Sequence, residues 1–138
     1  MKHYFVDTNI LVDLVADRRP YSKHAVQLFQ QAERDAVRLY TSSHSLATTH
    51  YLLKKYLDEN QLREVLHHLL EVLQIIAVDE NIIKRSLKSA HPDFEDAIQM
   101  LCAESVGQMD AIVTRNVRDF KNGLIPAINP DELGLSEQ

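Results

Sequence analysis

The sequence predicts an α/β fold on a central parallel sheet of four to five strands, with helices covering both faces. Three observations predict it. Short apolar runs alternate along the chain with segments of helical periodicity. The runs lack polar alternation, as strands buried on both faces do. Polar clusters follow the runs, and open α/β sheets collect functional groups at the carboxyl ends of their strands. A length of 138 residues fits a single domain spanning 1–138.

Each element can be read in turn. His3-Tyr4-Phe5-Val6 is the first strand and stops at Asp7-Thr8-Asn9. Ile10 to Ala16 reads as a short helix, broken by Asp17-Arg18-Arg19-Pro20. Ser22 is placed to cap a helix carrying Ala25, Leu28, Phe29, Ala32 and Ala36 at helical spacing. Arg38 to Thr41 is the second strand, and Ser42 or Ser43 caps a helix running to Leu57. From Asn60, Leu62, Val65, Leu66, Leu69, Leu70 and Leu73 form the clearest amphipathic stripe in the chain. Gln74 to Val78 is the third strand, and Asp79 caps a helix through Lys88. His91-Pro92-Asp93 opens a helix from Phe94 to Val106. Ala111 to Thr114 is the fourth strand; Ile125 to Ile128 is a fifth, placed at an edge by Pro126.

Composition narrows the function classes. Fifteen basic and 20 acidic residues give a net charge of −5 with the seven histidines neutral. Binding nucleic acid through bulk positive charge is thereby disfavoured. Cys102 is the one cysteine, so there is no internal disulfide and no cysteine-based zinc site. The three glycines form no phosphate-cradling loop. The N-terminus lacks the apolar core of a signal peptide, and no apolar run is long enough to span a bilayer. A cytoplasmic protein without membrane contact is expected.

Four polar clusters carry candidate chemistry: Asp7-Thr8-Asn9, Ser42-Ser43, Asp93-Phe94-Glu95-Asp96, and Arg115-Asn116 with Asp119. Asp7 lies directly after an apolar strand, where it serves as helix cap or as a rigidly held carboxylate, with Asn9 in reach to support it. Asp93 and Glu95 are explained by the helix dipole. Asp96 heads a row continuing through Met100, Ala103 and Gly107, and an acid atop a buried row needs a proton, a partner or a cation. Carboxylates converging at a sheet edge repel, and oxygen ligands with retained waters suit Mg²⁺ or Mn²⁺.

Taken in order, three motifs resemble those of PIN domains. They are Phe5-Val6-Asp7-Thr8-Asn9-Ile10-Leu11, Asp93-Phe94-Glu95-Asp96-Ala97, and Ile112-Val113-Thr114-Arg115-Asn116-Val117-Arg118-Asp119-Phe120. The wording is most similar to the bacterial toxin-type branch that includes the VapC toxins, and the likeness runs from Lys2 to Leu133. The resemblance implies a three-layer α/β/α fold and a Mg²⁺- or Mn²⁺-dependent ribonuclease. It implies Asp7 and Asp96 as metal-holding acids, Asn116 nearest the metal, Asp119 completing the site and Thr114 orienting it. Its partners are RNA as substrate, a small antitoxin protein that occludes the acidic site, and a second copy in a homodimer.

The chain departs from the resemblance once. The family's second acid, a Glu in the helix after strand two, falls at Thr48, and no Asp or Glu lies between Val37 and Leu57. Asp93 or Glu95 is positioned to replace it, and Thr48 retains a hydroxyl that reaches a cation through water. The departure also keeps open a weakened PIN fold that binds nucleic acid or protein without cutting. Arg115 and Arg118 flank the proposed site and are the leading candidates for RNA phosphate contacts.

Overall fold

The structure, a computed structural model, describes residues 1–134; the last four residues of the expected domain, 135–138, lie outside the described residues. Five parallel strands form one sheet: β1 Lys2–Val6, β2 Val37–Ser42, β3 Leu73–Ile76, β4 Ala111–Val113 and β5 Ala127–Ile128. Their order is β3-β2-β1-β4-β5. The chain builds outward from β1 to β2 and β3, then returns to the other side of β1 with β4. The strand order therefore reverses between β1 and β4, the place where such sheets open a crevice at their carboxyl ends. Register there is tight, with Val6 opposite Val113.

Six helices complete the layers: α1 Thr8–Val15, α2 Ser22–Glu33, α3 Ser43–Leu53, α4 Glu59–Leu69, α5 Glu80–Lys88 and α6 Phe94–Glu104. Successive strand residues point to opposite faces. Val6 and Val113 accordingly join a core with α1 to α4 through Ile10, Leu11, Leu28, Leu53, Leu62 and Leu66. Phe5 and Ile112 join a second core with α5 and α6 through Ile82, Ile98, Cys102 and Ala103. The expected three-layer α/β/α architecture is present, and β5 is the edge strand that Pro126 announced.

Several boundaries differ for local reasons. Ser22 is not a cap. It lies inside α2, whose N-cap Tyr21 makes no side-chain cap bond, and Ser22 Oγ donates to Asp17 Oδ1 at 2.7 Å. Helix α2 stops at Glu33, and Asp35 turns the chain with φ of 59° before Ala36 can continue it. Helix α3 ends at Leu53, four residues early, leaving Tyr56 and Leu57 in the turn. Asp58 caps α4 through Gln61 N–H at 3.1 Å, so the helix starts one residue before Asn60. Leu73 opens β3 and does not end the leucine stripe. No helix among the described residues is long and apolar enough to cross a membrane.

Candidate active site

The carboxyl ends of β1 and β4 meet at Asp7. Its N–H donates to Val113 O at 3.0 Å, which continues the β1–β4 ladder one step past the strands. Asp7 is 7% exposed and caps α1, its Oδ1 accepting from Thr8 N–H at 2.8 Å. The cap role expected of an Asp at a strand end is therefore realised, and it does not exhaust the side chain. Oδ1 also accepts from Gln99 Nε2 at 3.1 Å, and Oδ2 accepts from Thr114 Oγ1 at 2.9 Å.

Thr114 ties the third motif to the first. Besides donating to Asp7, its hydroxyl accepts from Asn116 N–H at 3.0 Å and from Asn9 Nδ2 at 3.3 Å. Asn9 thus supports Asp7 through Thr114 and not by direct contact; its Oδ1 meanwhile accepts from Arg115 N–H at 3.4 Å. Asn116 leads into the 3-10 turn Val117–Phe120, which carries Asp119 and Arg118 on its exposed side.

The acidic helix start arrives from α6. Asp93 caps it through Asp96 N–H at 2.9 Å, and His91 Nδ1 accepts from Asp93 N–H. His91 Nε2 binds Asp119 O at 2.7 Å, which pins the 3-10 turn to the start of α6. Asp96 is half-buried between them. Its carboxyl pKa is pushed up to about 6, by burial first and then by Asp93, Asp7 and Asp119, with His91 acting in the opposite direction. Four carboxylates therefore share one rim with more negative charge than the protein neutralises.

Other expected residues fall elsewhere. Glu95 is exposed, 3.7 Å from His44 across the gap to α3. Thr48 faces His44, with Oγ1 3.5 Å from Nε2. Arg115 is committed inward: Nε and Nη2 bind Asp13 at 2.7 and 3.1 Å, and the guanidinium stacks 3.9 Å over Tyr21. A buried carboxylate thus engages two of the guanidinium nitrogens expected to meet RNA phosphate. Arg118 stays exposed beside the site. Cys102 offers no nucleophile, because burial and the Asp79 charge push its thiol up to about 11.

Two site residues escape the sequence reading, Gln99 and Ser45, whereas Ser42 belongs to a cluster the sequence singled out. Gln99 is 3% exposed on α6. The signal was its spacing. Asp96, Gln99 and Ala103 share a helix face at i, i+3 and i+7, so an amide stands where the row should be apolar.

The donor set limits what a cation would find. Among the described residues, no three His, Cys, Asp or Glu side chains form a ready-made cage. Mg²⁺ is commonly held by one or two carboxylates, with waters and substrate phosphate completing the shell. Asp7 and Asp96, close enough that one raises the other's pKa, supply that number of carboxylates. The rim suits a hydrated, substrate-completed cation and not a preformed protein cage.

Comparison with known proteins identifies the family and the fold. A family model described as PIN domain matches residues 3–118. Ribonuclease VapC1 of Aquifex aeolicus (strain VF5) is 25% identical over 133 residues, covering 93% of this chain and 90% of that protein. A toxin–antitoxin complex from Klebsiella pneumoniae contains a chain similar at 25% identity with a TM-score of 0.65, over 92% of this chain and 97% of that one. VapBC-1 from nontypeable Haemophilus influenzae shares the fold at 20% identity and a TM-score of 0.67, over 94% and 99% of the two chains.

Proposed function

The chain belongs to the PIN domain family, and from that membership we propose that it is a divalent-metal-dependent endoribonuclease, the toxin of a toxin–antitoxin pair. One observation carries the reading: Asp7, directly after β1, and Asp96, on α6, are brought into mutual electrostatic range at the point where the strand order reverses. The ribonuclease name of the Aquifex relative supports the same activity.

Mg²⁺ or Mn²⁺, when bound, supplies Lewis acidity toward water and the scissile phosphate. Asp7 and Asp96 are the residues we assign to hold it. Asp7 is fixed by its bonds to Thr8, Gln99 and Thr114, so its carboxylate loses little freedom on binding. Asn116 and Asp119 orient water at the rim, with Thr114 and Asn9 fixing the backbone at Asn116 and Arg115. Arg118 is the phosphate contact we retain. Asp93 serves as the cap of α6, and Glu95 and Thr48 stand at the margin of the site. In-line attack by water requires no nucleophilic side chain, and the raised thiol of Cys102 supplies none.

The partners belong to the same reading: RNA as substrate, a small antitoxin protein, and a homodimer, in the cytoplasm. The similar Klebsiella chain belongs to a toxin–antitoxin complex, which supports the antitoxin. Tyr51, Leu52, Tyr56 and Val65 are exposed by 61%, 46%, 79% and 42%, which leaves apolar surface on and after α3 for protein contact. A second reading, a PIN fold that binds without cutting, draws on the acid missing at Thr48.

Calorimetric titration separates the two. The nuclease reading expects Mn²⁺ to bind the wild type at millimolar concentration or below, and to bind Asp7→Asn and Asp96→Asn at least roughly tenfold more weakly. Absence of binding to the wild type leaves the non-cutting fold.

A further inference from the structure

We propose that Gln99 is a positioning residue of the acidic site, standing with Ser42 and Ser45 in place of the carboxylate that α3 lacks at Thr48; this rests on the nuclease reading above. Gln99 spends its whole amide on the site. Nε2 donates to Asp7 Oδ1 at 3.1 Å and to Ser45 Oγ, and Oε1 accepts from Ser42 Oγ at 2.6 Å.

The amide has one permitted orientation. Ser42 Oγ already accepts from Ser45 N–H at 2.9 Å as the cap of α3, so its own proton is free for Gln99 Oε1. That fixes the carbonyl toward α3 and the NH₂ toward Asp7. The flipped amide would aim its carbonyl at a carboxylate oxygen. Ser45 Oγ continues the network to Thr8 Oγ1 at 2.9 Å, closing a ring from Asp7 through α6 and α3 back to α1.

The consequence falls on Asp7. Its Oδ1 is filled by Thr8 N–H and Gln99, whereas Thr114 is the one hydrogen-bond donor recorded for Oδ2 among the described residues. A carboxylate oxygen has two lone pairs, so Oδ2 is the atom left to face a cation. Gln99 thereby selects which oxygen of Asp7 is presented. It also does so without charge, on a rim where Asp93, Asp7 and Asp119 already act against the ionisation of Asp96. Ser42 at the end of β2 and Ser45 on α3 thus contribute two hydroxyls through a neutral amide where relatives of this wording contribute an acid.

The test is calorimetric titration of MnCl₂ into the wild type, Gln99→Met and Gln99→Glu, with melting curves without metal and steady-state cleavage of a single-stranded RNA. Gln99→Met is expected to weaken Mn²⁺ binding roughly tenfold or more and to lower kcat with KM for RNA unchanged. Gln99→Glu places a carboxylate beside Asp7. It is expected to tighten Mn²⁺ binding roughly tenfold while lowering Tm without metal. A packing role alone would lower Tm in both variants and leave their Mn²⁺ affinity at the wild-type value, and that result overturns the proposal. If Gln99→Met does not fold, the sign of the Gln99→Glu change decides. A wild type that binds Mn²⁺ and cuts RNA while both variants match it sinks the role of Gln99 alone. A wild type that does neither sinks the nuclease reading with it.

Discussion

At Asp96 a carboxyl that titrates near 3.8 in the unfolded chain is held at about 6 by burial and by three neighbouring acids. Between those two values the folded protein keeps a proton that the unfolded chain has lost. The unfolded state then binds fewer protons, so stability falls as pH rises from about 4 through 6 and levels above that. Asp96→Asn removes the cost. It is expected to raise unfolding free energy at pH 7 by about 1–2 kcal/mol, once solvent screening over the exposed edge is allowed for, and to change little at pH 4. Urea unfolding at the two pH values checks this, and an equal change at both would contradict it. The sequence already distinguished Asp96 from Asp93 and Glu95 by its position above a buried row. For Gln99 it carried only a spacing signal, an amide on the face of Asp96 and Ala103, and not the partners at the strand end beneath it.

Elements account for most of what was legible and most of what was not. The five strands and six helices follow from apolar runs and helical spacing, whereas their ends depend on side-chain bonds that spacing does not encode. Asp58 takes the cap of α4 one residue before the expected start, and Leu73 leaves the leucine stripe because β2 offers it a strand partner. The loop after β4 is a further case. Arg115 reads as a phosphate contact beside acids, yet Asp13 on α1, 1% exposed, holds it in a two-pronged ion pair that locks the loop to the helix. Arg115→Ala strands that carboxylate with Arg18 at 3.9 Å. It is expected to cost about 3 kcal/mol, read as a lower urea midpoint at unchanged slope. A loss under about 0.5 kcal/mol would place the pair with ordinary surface ion pairs.

Across the whole molecule, the net charge of −5 first argued against a nucleic-acid protein. The fold relocates that objection. Asp7, Asp93, Asp96 and Asp119 gather at one rim, so part of the acidic excess is a local feature of the reversal point between β1 and β4. On the proposed nuclease reading, a divalent cation there would reduce the charge that RNA meets, and broad electrostatic attraction would not be required. The resemblance was carried by three short motifs far apart in the chain, and the fold brings them to one edge through Thr114, Asp7 and Asp96. The departure at Thr48 was equally plain in the sequence. The residue proposed to answer it, Gln99, sets its amide between Ser42 at the end of β2 and Ser45 on α3, through packing of α6 on both that no local pattern specifies.

The central claim is that this rim hydrolyses RNA with water as nucleophile, through Asp7. End-group analysis of a labelled single-stranded RNA cut in Mn²⁺ tests it most directly, with Asp7→Asn run beside the wild type. The account predicts linear phosphate ends, no 2′,3′-cyclic phosphate, and cleavage reduced at least roughly a hundredfold in Asp7→Asn. Cyclic phosphate ends, or equal cleavage by the two proteins, would contradict it.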